Sequence, residues 1–295
     1  MLTLEGHAGP IPALAFSPDG EILASGGKGG LVRLWHPPTE YGVLSSSTES
    51  VHSLAFSPDG SVVAFGGEDR QLHVWNVRER SLSLRTMPEK HPISSVTFVG
   101  AGTVLFGIGD RPNPVSRPTT LMLLELASRR TRPFPFGVVN GIRAAAGLPD
   151  RRIAAWATEN KQLRLQDITR PPGKAVTLKN DCRALALSAD GRRLAVTSDW
   201  EILLFDVDRV WPVTPTTLGR HQGVVSALAF GPDGRTLFSG GWDNAVRVWD
   251  LDRGTERATY TWPIGNRVTS LAVSPDGLRA AASGDVGTVA VWDLD

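Results

Sequence analysis

Three residues late in the chain have the types that a nucleophilic hydrolase uses. His221, Ser239 and Asp243 supply a base, a hydroxyl and a carboxylate to orient the base. That chemistry needs an exposed serine and donors for a developing oxyanion. The other reactive groups are scattered. Gly26-Gly-Lys-Gly-Gly30 is glycine-rich and holds a lysine, but it lacks the spacing and the following helix of a phosphate-binding loop. Cys182 is the single cysteine, so it forms neither an internal disulfide nor a structural zinc site. No carboxylate pair or histidine cluster has metal-ligand spacing, and Asp285-Val-Gly287 reads as a hairpin turn rather than a calcium loop. No metal and no cofactor is expected.

The elements that must position these residues emerge from a repeat, the first feature to seek in a sequence of this kind. The string S-P-D-G occurs at 17–20, 57–60 and 274–277, with variants Ser188-Ala-Asp-Gly191 and Gly231-Pro-Asp-Gly234. Proline fixes φ for a turn, aspartate supports it through its side chain, and glycine takes the left-handed position. An apolar run such as ALAF or SLAV precedes each turn. A second run such as ILASGG or TLFSGG follows, and then a third such as LVRLW or VRVWDL. Short runs that alternate or are continuously apolar read as buried strands. The third runs close at Trp35, Trp75, Leu124, Gln166, Phe205, Trp249 and Trp292, a period of about 40–45 residues.

With that period, those turns and the dipeptides Trp249-Asp250 and Trp292-Asp293, the whole chain resembles the WD40-repeat family in its bacterial, seven-repeat form. The match is most specific in units 1, 2, 6 and 7, whereas units 3, 4 and 5 are placed by spacing. The resemblance implies an all-β fold: one seven-bladed β-propeller over residues 1–295, with four antiparallel strands per blade. The units fall near 7–48, 49–88, 89–136, 137–178, 179–218, 219–262 and 263–295 plus 1–6. In the family, the N-terminal strand completes the last blade, a role open here to Leu2-Thr-Leu4. Such closure pairs two exposed sheet edges.

The resemblance also recasts the apparent triad. His221, Ser239, Asp243 and Trp249 match a buried hydrogen-bonded tetrad that locks a blade, so their role is structural and no catalytic residue is expected. Blade 1 keeps His7, Ser25 and Trp35 but has Gly29 in place of the aspartate. Blade 2 keeps Asp69 and Trp75, with Phe65 at the serine position. Blade 4 has Trp156 at the serine position and Gln166 at the tryptophan position. Phe65 and Trp156 read as apolar fillers, and Cys182 as a small core residue.

In propellers of this family, partners dock on the face made by the loops entering the first strands and the hairpins joining second to third strands. Here that face would carry Trp242, Arg220, Trp200, Arg267, Asn266, Lys28 and His91, with Arg111 and Arg117 in a proline-rich insertion. Tryptophan and arginine are the types enriched at interface hot spots. The expected function is a non-catalytic scaffold or recognition subunit that binds a protein partner, alone as a monomer or within a larger complex. The alternative is recognition of an anionic ligand, nucleic acid or a phosphorylated peptide, by the arginine-bearing loops. A formal net charge of +1 gives no global field for nucleic acid or an anionic membrane. No stretch of 18 apolar residues and no signal-peptide pattern is found, so a cytoplasmic location is expected.

Overall fold

The structure, a computed structural model, describes residues 1–45, 49–109, 121–134, 141–170, 175–207 and 214–294. Its strands form seven antiparallel four-stranded sheets. Six sheets are read from consecutive strands, over residues 13–45, 51–85, 93–133, 142–177, 185–220 and 225–261. The seventh takes three strands from 268–293 and its outermost strand, Leu2–Glu5, from the start of the chain. The architecture is a seven-bladed β-propeller.

The registers make the repeat explicit. The closing residue of each third strand stands on one equivalent rung, opposite Leu23, Val63, Val104, Ala154, Leu194, Leu237 and Ala280 in turn. Two residues further along each second strand lies the rung of Ser25, Phe65, Phe106, Trp156, Val196, Ser239 and Ala282. It pairs with the first strand in every blade. Units 3 to 5, which lack the sequence signature, therefore keep its geometry.

The S-P-D-G turns are held by side chains as well as by backbone. In blade 2, the Ser57 hydroxyl donates to Asp59 at 2.6 Å and accepts the Val62 N–H at 3.1 Å. Asp59 also accepts the Ser61 N–H at 3.1 Å, and these bonds hold its carboxyl below the usual range. Gly60 takes φ +70°, where a Cβ would be strained. In blade 6, glycine replaces the serine, and Asp233 instead accepts from the N–H and hydroxyl of Thr236 at 3.0 and 2.9 Å.

The core is divided like the ring. Each of the seven apolar clusters lies between neighbouring blades. The cluster joining blades 7 and 1 includes Leu4, 2 % exposed, packed with Ile11, Leu23, Trp35, Val289 and Val291. Leu2–Glu5 pairs with the last strand in continuous register from Leu2↔Val291 to Glu5↔Thr288. Closure thus buries a leucine, worth roughly 1.5–3 kcal/mol, and also satisfies the ladder of the last sheet.

Candidate binding face

In blade 6, the three residues with hydrolase-like types and Trp249 form one buried chain of hydrogen bonds. Trp249 Nε1 donates to Ser239 Oγ at 2.8 Å, and Ser239 Oγ lies 2.7 Å from His221 Nε2. His221 Nδ1 lies 2.9 Å from Asp243 Oδ1. Donor bookkeeping sets the direction: the carboxylate can only accept, so the neutral imidazole donates from Nδ1, its Nε2 accepts the serine proton, and the serine oxygen accepts the indole N–H. Burial pushes the His221 pKa down against the pull of Asp243, which keeps the ring neutral. Burial also pushes the Asp243 carboxyl up, but bonds from His221 and the Gln222 N–H outweigh it and hold the group below its ordinary range. Ser239 has no exposed surface, so no substrate can reach its hydroxyl.

The other blades depart from this lock in different ways. Blade 1 has the same inner part: Trp35 Nε1 donates to Ser25 Oγ at 2.8 Å, with His7 Nε2 2.8 Å away. With Gly29 in the aspartate position, His7 Nδ1 has no partner among the described residues. Burial, helped by Arg33, lowers the His7 pKa to about 4. In blade 2, Phe65 is fully buried, and Asp69 pairs with His73 Nε2 at 2.7 Å. That histidine stacks on Phe65 with ring centroids 5.2 Å apart, so the filler is a phenyl–imidazole pair. In blade 4, Trp156 is 1 % exposed against the edge of Phe134. Cys182 is fully buried just before the first strand of blade 5, and burial pushes its thiol up to about 12.

The chemistry accessible to a partner lies at the mouth of the central channel, a cavity of about 620 Å³ lined by the first strands of all seven blades. One residue per blade, two before the rung paired with the serine position, forms a ring there: Pro12, His52, Ser94, Arg143, Arg183, Ser226 and Thr269. In blades 2, 3, 4, 6 and 7 this residue is the one skipped by a register shift. Such bulges leave a residue unpaired and re-aim its side chain.

Trp242 follows the second strand of blade 6, is 36 % exposed, and lines the same cavity. Two cations lie on its ring: the Arg267 guanidinium carbon is 4.5 Å from the indole centroid, and that of Arg183 is 4.9 Å away. Asn266, beside Arg267, is exposed and gives its N–H to Asp285 at 3.0 Å. Lys28 is exposed and lines the cavity from blade 1. Trp200 is 54 % exposed at the tip of the two-residue hairpin of blade 5 and makes no ring or cation contact with the described residues.

Arg220 ends the fourth strand of blade 5, across from Glu201, and is exposed. The arginines over the Trp242 ring are Arg183 and Arg267, and no such contact is seen for Arg220 among the described residues. His91 precedes the first strand of blade 3, partly buried and away from the cavity lining. Arg111 and Arg117 lie outside the described residues, as does Trp211 in the connection between blades 5 and 6. Arg183 and Arg143 were not among the residues expected from sequence. Among the described residues there is no cluster of three or more metal-ligand types, and no helix is long and apolar enough to cross a membrane.

Comparison with known families fits this geometry. The family described as WD domain, G-beta repeat, matches residues 1–36, 39–76, 213–250 and 255–293, about half of the chain. This chain belongs to the WD40-repeat family. It is 36 % identical over 125 residues to Transcription factor unc-37 of Caenorhabditis elegans, covering 41 % of this chain and 20 % of that protein. It is 33 % identical over 150 residues to the WD repeat-containing protein sll1491 of Synechocystis, covering 48 % and 40 %. With Protein groucho of Drosophila melanogaster the identity is 30 % over 122 residues, covering 40 % and 16 %. The WD40 chain thus matches less than half the length of each of these relatives.

Proposed function

We propose that this WD40 propeller is a non-catalytic binding platform, and that a protein partner docks on the loop face around the channel mouth with Trp242 at its centre. Propellers of this family generally serve as scaffolds without catalytic activity, which supports the reading at the level of the fold. The observation that carries it is Trp242 itself. On the same rung, three residues past the serine position, the other blades have Lys28, Glu68, Gly109, Glu159, Asp199 and Asp285. Blade 6 alone puts a large apolar surface there and flanks it with arginines from the blades on either side. A partly exposed indole with arginine neighbours has the composition of an interface hot spot. Trp200, exposed at the tip of the corresponding hairpin of blade 5, offers a second indole to such a partner.

Hydrogen exchange with and without a co-purified partner tests this reading. Slowed exchange around 183–186, 240–244 and 265–269 is the expected result. Protection confined to the S-P-D-G turns, at the other end of the channel, would place the partner elsewhere and refute it.

A further inference from the structure

Arg183 and Arg267 come from the blades on either side of blade 6, and both bring their guanidinium groups to one indole. Among the described residues, neither is in ion-pair contact with a carboxylate. Each side chain could extend into water instead. The electron-rich face of tryptophan attracts each cation, while their mutual repulsion opposes gathering them. Stacking also holds each planar fork in place, so less rotamer freedom remains to be lost when a ligand arrives.

The cationic arc continues around the channel. Arg143 occupies in blade 4 the rung that Arg183 occupies in blade 5, and its Nε has no acceptor among the described residues. Asp181 stands 3.9 Å from its guanidinium. Lys28 extends the arc from blade 1. Among the described residues, Asp285 is the one carboxylate lining the cavity, and it accepts the Asn266 N–H. Among the described residues four cations, Lys28, Arg143, Arg183 and Arg267, line this cavity on a chain whose formal net charge is +1, so the field is local. A local field suits a compact, multiply charged anion better than a long polyanion, whose binding grows with the number of phosphates neutralised.

We propose that the channel mouth from blade 4 to blade 7 binds a phosphorylated side chain of a protein partner, with the phosphate on Arg183 and Arg267 and the adjoining peptide over Trp242. Guanidinium forks match phosphate oxygens bidentately, and a phosphate near two charges can neutralise two cations where one carboxylate cannot. This rests on the docking face proposed above and demands more of it, since the face must distinguish phosphorylated from unphosphorylated chains.

The test passes three randomised peptide libraries with identical flanks over the immobilised protein, with a central phosphoserine, serine or glutamate. The phosphoserine library should be retained at least about tenfold better than the serine library, with glutamate between, and retention should fall steeply with salt. The Arg183→Gln/Arg267→Gln double variant should bring phosphoserine retention down to the serine level while melting at the wild-type temperature. If that variant melts lower, Arg183→Lys keeps the charge but not the fork and should weaken retention several-fold.

Equal retention of the phosphoserine and serine libraries overturns the proposal. So does a folded double variant that still selects phosphopeptides, or tighter retention of a single-stranded RNA than of the phosphoserine library. A partner that needs Trp242 but ignores its own phosphorylation removes this inference and leaves the docking face standing. Phosphopeptides held by the two arginines, beside a partner indifferent to Trp242, would do the reverse.

Discussion

In blade 6, the space between the second and third strands is closed by Ser239, which joins the indole of Trp249 to His221 and through it to Asp243. In blade 2, the same rungs carry Phe65 and Trp75, and the aspartate turns to His73 on the third strand. The first solution spends buried polar groups and satisfies all of them. The second fills the space with a phenyl ring stacked on an imidazole and leaves the Trp75 N–H without a partner among the described residues. Both blades keep the same register. The fold thus requires a filled wedge at this rung and tolerates either chemistry for filling it. Blade 1 shows the intermediate case, in which the tryptophan, serine and histidine are joined but His7 Nδ1 is left without a partner among the described residues.

Phe65→Ser, which gives blade 2 the residue of blade 6, should have the largest effect, a loss of about 3–5 kcal/mol, because it empties a fully buried site. Urea unfolding measures it, and a loss below 1 kcal/mol would mean the wedge is not what holds blade 2. Ser239→Ala removes little volume but strands His221 Nε2 and Trp249 Nε1 together. It should cost about 2–3 kcal/mol in the same assay. Trp242→Ala, outside the locks, should change stability by no more than about 0.5 kcal/mol.

The comparison also has a pH signature. His7 is neutral in the folded blade because its pKa is depressed to about 4, and that of His221 is depressed as well. The unfolded chain therefore binds more protons than the folded one between about pH 6.5 and pH 4. The stability tied to these histidines is fully present above that window and falls as pH drops through it. A His7→Gln variant should be less stable at pH 8 yet lose less than the wild type between pH 7 and pH 4.5, as read by urea midpoints. Parallel losses in the two proteins would show that His7 does not carry the effect.

Much of the fold was legible because it is written in local chemistry. The S-P-D-G turns and the apolar runs between them are short-range signals, and the residues closing the third strands do stand on one rung. The degenerate blades 3 to 5 were placed by spacing alone, since Leu124, Gln166 and Phe205 have little in common beyond their position. The proposed docking face was harder to read. Trp242, Arg267 and Lys28 lie in loops, where a large or charged side chain is conspicuous. Arg143 and Arg183 lie at the entry to first strands, where alternation sorts residues into two faces. The bulge at residue 143 adds an unpaired residue and breaks that alternation, and Arg183 precedes its paired strand altogether. Arg220 was conspicuous because it stands where the repeat usually has a glycine before the histidine, and the arginines found over the Trp242 ring are Arg183 and Arg267 instead.

If the locks hold the ring while the channel mouth does the binding, the affinity of an identified partner separates the wild type, Trp242→Ala and Arg253→Glu. Arg253 is exposed in the turn between the third and fourth strands of blade 6, at the opposite end of the channel. Trp242→Ala should weaken binding by at least about 30-fold, the roughly 2 kcal/mol of a hot spot, with an unchanged melting temperature. Arg253→Glu should leave the affinity as it is. Full affinity in the Trp242 variant, with loss in the Arg253 variant, would contradict the account.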